Sequence, residues 1–251
     1  MAAPVPIDRA DLDFDNGSFD AVAFAASALA SWQTLAAIID HTLLKPDATR
    51  AQIEGLCREA YRYRFACVMV NPVWASTAVA ALSGIGIPVG VVLGFPFGAS
   101  LVSTLRQEAT TLIRLGAREL DMVIPIGQLK SGNHQAVHQA VHSVATVAHH
   151  HGAVLKVILE TSLLNMEEKL RGAEIAIQAG TDFLKTSTGF SSGGATVTDV
   201  ALLRGVAGGR CGIKASDGIR TLADVKSMLE AGANRIGTSA SVSIVRELGA
   251  Q

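Results

Sequence analysis

Two lysines, Lys185 and Lys214, each close a short apolar run, Phe183-Leu184-Lys185-Thr186 and Gly212-Ile213-Lys214-Ala215. A lysine set in apolar surroundings beside a second ammonium is driven toward its neutral form, because burial and like charge both oppose protonation. A free amine of that kind attacks carbonyl carbon to form a Schiff base, and lysines tuned this way reach pKa values of roughly 7 to 8. Asp121 falls in a third run, Leu120-Asp121-Met122-Val123-Ile124, where a carboxylate can relay protons, hold a lysine in place, or form a plain ion pair. Either lysine alone reads as readily as a plain paired cation, or one whose head reaches water, as it does as a reactive amine. Two in matching positions favour chemistry. Lys156 and Glu160 share one strand face by period two and are expected to make a supporting charge pair. Cys67 lies within another run and reads as a buried structural thiol.

For these side chains to meet, the runs that carry them must be neighbouring strands. From residue 38 onward a short β-branched run, a polar loop and a helix-period segment alternate, which is the signature of βα units. The apolar runs occupy 38–41, 66–70, 89–93, 120–124, 155–160, 183–186, 212–215 and 235–238. Their spacing leaves no gap long enough for a domain boundary, so the pattern predicts a single α/β (β/α)8 TIM barrel. In that architecture chemistry sits at the carboxyl ends of the strands, where Lys185 and Lys214 fall on adjacent strands six and seven. Thr49 with Gln52, Asn165 with Glu168, Thr196 with Asp199 and Thr221 with Asp224 mark helix starts. Gly116, Gly180 and Gly232 mark helix stops.

Residues 1–17 form an acidic lead-in, and residues 18–251 are read as the single domain, including an extra N-terminal helix over Phe19–Ile39. That alanine-rich stretch is neither a signal peptide nor a membrane span. Asp8, Asp11, Asp13 and Asp15 precede it, and polar residues interrupt it. It is expected to be one amphipathic helix packed on the barrel. The alternating acids Asp11, Asp13 and Asp15 suggest a calcium loop, but the register puts Asn16 where glycine is required and Val22 where a bidentate glutamate is required.

The chain has 251 residues, 49% hydrophobic and 17% charged, which excludes disorder for its bulk. With 21 basic against 22 acidic residues and no basic run, nucleic acid is excluded as a partner. Cys57, Cys67 and Cys211 are odd in number and widely spaced, which argues against disulfides and fits a cytoplasmic setting. His134, His138 and His142 recur every four residues, a spacing that can gather imidazoles on a metal. The stripe Val137, Val141, Val144 and Ala148 instead places them on the flank of an outer helix, and no native metal site is expected.

The segments Asp40-His41-Thr42-Leu43-Leu44-Lys45-Pro46, Gly94-Phe95-Pro96-Phe97-Gly98, Glu119 to Ile124, Leu155 to Thr161, Lys185-Thr186-Ser187-Thr188-Gly189-Phe190 and Ile213-Lys214-Ala215-Ser216 resemble the deoxyribose-phosphate aldolase family, in the family's order. The resemblance implies a class I aldolase that cleaves 2-deoxy-D-ribose 5-phosphate reversibly into acetaldehyde and D-glyceraldehyde 3-phosphate. It also implies that Lys185 is the Schiff-base nucleophile, that Lys214 lowers its pKa, and that Asp121 assists proton transfer. Neither metal nor organic cofactor is required, the substrates are small aldehydes and sugar phosphates, and the assembly is a homodimer.

Against the family pattern, Asp217 replaces a glycine after the seventh strand, Ala240 replaces a serine after the eighth, and Pro125 stands where asparagine is common. Gly189, Gly218 and Ser239 remain to bind phosphate beside Asp217. These departures predict weakened phosphate dependence and use of unphosphorylated 2-deoxyribose or short aldehydes. Two other readings compete: a sugar-phosphate isomerase or other lyase using Lys185 only electrostatically, and a non-catalytic sugar-binding barrel.

Overall fold

The computed structural model describes residues 19–251; the acidic lead-in, with the stretch weighed as a calcium loop, lies outside the described residues. Eight strands follow one another in the chain: β1 (Ile39–Leu43), β2 (Cys67–Val70), β3 (Val89–Leu93), β4 (Glu119–Val123), β5 (Val154–Ile158), β6 (Phe183–Lys185), β7 (Gly212–Ser216) and β8 (Arg235–Thr238). They pair in parallel in chain order, and β8 closes on β1. The eight-unit TIM barrel expected from the sequence is the observed architecture. Strands so short and β-branched are stable here because both faces are covered, by the barrel interior and by the outer helices. Accordingly β2 through β8 are buried at every position.

The outer layer contains α3 (Arg50–Tyr63), α4 (Ala75–Ala81), α5 (Val102–Arg114), α6 (Ile126–Lys130), α7 (His134–His150), α8 (Met166–Gln178), α9 (Val197–Ala207), α10 (Leu222–Glu230) and α11 (Ser241–Glu247). Thr49, Asn165 and Thr221 each form a reciprocal capping box with the residue three positions on, and Thr196 accepts from the Asp199 amide. Gly116, Gly180 and Gly232 take φ of 107°, 99° and 113° just past α5, α8 and α10. A residue with a β-carbon would be strained there, so glycine ends these helices and turns the chain toward the next strand.

The N-terminal segment differs from the single helix expected. It is two helices, α1 (Ala21–Ala28) and α2 (Trp32–Ala36), broken at Ser31. Ser31 is extended (φ −156°, ψ 161°), and its hydroxyl accepts from the Thr34 amide while the Thr34 hydroxyl accepts from the Ser31 amide. A second helix start inside the alanine-rich run thus outcompetes continuation of the first. α1 packs on α10, and α2 packs on α11 and leads directly into β1 with Leu35 and Ala36 fully buried. Among the described residues, no helix is long and apolar enough to cross a membrane.

Candidate active site

Parallel register brings the charged residues of distant segments into one column inside the barrel. Lys185 is the Cα partner of Lys214 across β6 and β7, and Asp121 is the partner of Lys156 across β4 and β5. Asp121 lies between both lysines of the expected pair: its Oδ2 accepts from Lys185 Nζ at 2.8 Å and from Lys214 Nζ at 2.7 Å. Its Oδ1 accepts from Lys156 Nζ at 2.9 Å. Below this level, Lys214 also meets Asp40 Oδ2 at 2.5 Å, Lys156 pairs with Glu119, and Arg235 donates to Asp40 Oδ1 at 2.6 Å and to Glu119 Oε1 at 2.8 Å.

Four cations (Lys156, Lys185, Lys214, Arg235) therefore share three carboxylates (Asp40, Glu119, Asp121), all of them buried. An interior of low polarisability resists a net charge. One cation is in excess, and the balance is met when one of the four gives up its proton. Burial first, and then the positive charge of Lys214, push the Lys185 amine down from its ordinary 10.5 to about 8 against the opposing pull of Asp121. Burial would likewise lower Lys156 and Arg235, but the carboxylates overcome it and hold both well above their ordinary values. For Asp121, burial favours protonation, yet Lys156, Lys185 and Lys214 together keep it ionised and well below the usual carboxylate range. Lys185 is thus the member of the column that most readily gives up its proton.

Lys185 also differs in exposure. It borders a cavity of about 240 Å³ at the carboxyl ends of the strands, whereas Lys214 and Asp121 lie beneath the cavity floor. Gly189, Asp217, Gly218 and Ser239 line the same cavity, so the structure brings together the lysine expected to form the Schiff base and all four residues expected to hold phosphate. Thr42, Lys45, Thr188, Phe190, Arg220 and Thr238 line it too and were not singled out from the sequence. Phe190 meets Phe95 edge-on, with ring centroids 5.3 Å apart, and forms an aromatic wall at the mouth.

The expected Lys156–Glu160 pair is not what forms. β5 ends at Ile158, and Glu160 turns into the left-handed region at φ 57°, so the period-two relation to Lys156 is lost. Its carboxylate instead accepts from the Thr188 amide at 3.3 Å and from the Thr188 hydroxyl, while the Phe190 amide donates to that hydroxyl at 3.0 Å. Glu160 therefore braces the loop after β6. Lys156 serves the charged column as a counter-ion.

Asp40, Glu119 and Arg235 were missed as site residues. The available signal is a charge within or bordering each of three otherwise apolar runs. Cys67 points into the barrel beside Leu44, Met69 and Val92, and burial raises its thiol well above the ordinary value. With Asp40 and Glu119 it forms the one group of potential metal ligands within reach of a shared ion among the described residues, and those carboxylates are held by Arg235, Lys156 and Lys214. His138 and His142 stack on the outer helix α7 with centroids 5.6 Å apart, and His149 Nε2 lies 3.0 Å from Asp182 Oδ2. Pro125 precedes the short α6, where no intrahelical partner is required of its nitrogen.

Gly237 on β8 makes room for this arrangement. A β-carbon there would lie 2.8 Å from Lys214 Cε and 3.0 Å from Ser216 Cβ. Because two carboxylates pin the end of Lys214, Gly237→Ala is expected to displace the ammonium and lower kcat about tenfold at pH 8, equivalent to 1.4 kcal/mol, while circular dichroism stays that of the folded barrel. An unchanged kcat would mean that Lys214 tolerates displacement.

The sequence signature of DeoC/LacD family aldolases matches residues 34–246. A deoxyribose-phosphate aldolase of Geobacillus sp. is 51% identical over 211 residues, covering 84% of this chain and 94% of the relative. One of Listeria monocytogenes is 51% identical over 212 residues, covering 84% and 95%. Among solved structures, a tetrameric deoxyribose phosphate aldolase of Aeropyrum pernix superposes with a TM-score of 0.84 at 34% identity, covering 91% of this chain and 96% of that one. A closed barrel, a lysine of lowered pKa at its open end and a match over most of the sequence converge, and the chain belongs to the DeoC/LacD family of aldolases.

Proposed function

We propose that this protein is a class I aldolase that cleaves 2-deoxy-D-ribose 5-phosphate reversibly to acetaldehyde and D-glyceraldehyde 3-phosphate. In this reading Lys185 is the nucleophile, Lys214 lowers the pKa of its amine, and Asp121 positions both and assists proton transfer. The observation that carries it is that Lys185, alone of the four barrel cations, opens onto the cavity while it shares a carboxylate with Lys214.

The neutral amine adds to the aldehyde carbon, C1, of the open-chain sugar, and loss of water gives a protonated imine. Transfer of the C3 hydroxyl proton to a base lets the C2–C3 bond break, its electron pair passing into the imine. Glyceraldehyde 3-phosphate leaves and an enamine remains on Lys185. Protonation at C2, followed by addition of water to C1, releases acetaldehyde and restores the amine. Asp121 lies within hydrogen-bond reach of the Lys185 amine and of Lys214, which suits it to pass these protons between them.

Acetaldehyde with borohydride tests the reading. Reduction of the imine should add one ethyl group to Lys185, located by peptide mass spectrometry. An electrostatic lysine in an isomerase, or a sugar-binding barrel without covalent chemistry, would give no adduct. The active unit we propose is a homodimer in the cytoplasm, a reducing compartment that suits three buried free thiols. Light scattering distinguishes a dimer from the tetramer formed by the Aeropyrum pernix relative.

A further inference from the structure

Asp217 lines the same cavity as Lys185, and its backbone takes φ 70° beside Gly218 at 79° and opposite Gly189 at 86°. It is the one member of this left-handed trio that carries a side chain, and the turn sets its carboxylate directly on the loop after β6. A β-carbon at Gly189 would meet Asp217 Oδ1 at 3.5 Å, and one at Gly194 would meet Asp217 Oδ2 at 2.9 Å. Both oxygens therefore rest against glycine backbone with no side chain between. The Asp217 carbonyl accepts from the Ala195 amide at 3.0 Å, which ties the residue to this loop. The carboxylate is half-buried in the cavity wall.

Glycine backbone at the rim of a pocket is where an anionic group approaches the main chain most closely. Here a fixed carboxylate already occupies such a place. A phosphate monoester brings a further charge of about −1.5 to −2 at neutral pH, and two anions in one small cavity repel. Apart from Lys185, the cavity's basic side chains are Lys45 and Arg220, and both are exposed, so water and salt screen what they can offer a phosphate. A sugar hydroxyl meets no such penalty, because it donates a hydrogen bond to the carboxylate.

We infer that Asp217 relaxes the dependence on phosphate. The enzyme then cleaves unphosphorylated 2-deoxyribose with a kcat/KM comparable to that for the phosphate ester. This inference rests on the Schiff-base reading of Lys185.

The test compares kcat/KM for 2-deoxyribose 5-phosphate and for 2-deoxyribose in the full chain and in two variants. Asp217→Asn keeps the shape and tolerates the left-handed backbone; Asp217→Gly removes the side chain where glycine is unstrained. In the unaltered chain the two values should agree within about tenfold. In both variants KM for the ester should fall about five- to tenfold while that for the free sugar stays level or rises, so the ester-to-sugar ratio climbs about fivefold or more. A preference above about a hundredfold for the ester in the unaltered chain, or equal changes for both substrates, would overturn the role of Asp217. Ethyl labelling of Lys185 in the same samples separates the two failures. With label present and the ratio unmoved only the Asp217 inference falls; with no label the aldolase reading falls, and this inference with it.

Discussion

Lys185→Leu is expected to abolish both borohydride trapping and aldol cleavage, with kcat lower by roughly 10⁴-fold or more, as when a covalent nucleophile is removed from other enzymes. The loss should not come from unfolding. The barrel interior holds four cations and three carboxylates, so removing one cation leaves 4 − 1 = 3 against three. The leucine has an apolar site to fill, and thermal unfolding should move by only a few degrees. Retained cleavage in this variant would remove Lys185 from the mechanism; a collapsed far-ultraviolet spectrum would instead give the lysine a structural role.

The second large effect is that of Lys214→Leu, and it has the opposite electrostatic logic. With Lys214 gone, the three carboxylates face Lys156, Arg235 and Lys185, so balance now requires Lys185 to keep its proton. The amine also loses the like charge that helped depress it. Since the neutral amine is the attacking species, kcat/KM of the unaltered enzyme should rise with pH through about 8 and level off above it. In the variant the inflection should move up toward the ordinary 10.5. A full return to 10.5 would cut the neutral fraction at pH 7.5 from roughly a quarter to roughly one in a thousand; with burial still acting, the loss should be up to about 200-fold and largely restored by high pH. Trapping should persist, slowly. A variant whose profile still turns near 8 would show that Lys214 acts in some other way.

How much of this was readable from the sequence depended on whether the relation was local. The barrel was legible because each unit states itself: a β-branched run, a cap such as Thr49 with Gln52, and a stop such as Gly116. The lysine pair was legible for the same reason, since both close equivalent runs and the parallel register then sets them side by side. The break at Ser31 was not, because the capping partner three residues on is Thr34, whose hydroxyl fills a place usually marked by an acid or amide. Period-two reasoning paired Lys156 with Glu160, but it holds only while the strand lasts, and Glu160 lies two residues past its end. Asp40, Glu119 and Arg235 stayed hidden because their partners are remote in the chain. Arg235 lies 195 residues from Asp40 and 116 from Glu119, and no local pattern records such pairs.

That long reach ties reactivity to the order in which the chain assembles. β8 must dock on β1 before Arg235 can engage Asp40, and Asp40 in turn holds Lys214. Contacts of such high sequence separation are the slow part of forming a barrel. A nascent or half-formed chain that has paired only β5 to β8 brings Lys185 and Lys214 together without Asp40 or Asp121, leaving both lysines open to water and protonated. Burial is the largest cause of the lowered amine pKa, so Lys185 should reach about 8 only once the ring closes over it. For the same reason, the appearance of a trappable imine during refolding would serve as a chemical clock for the final docking of the two ends of the sheet.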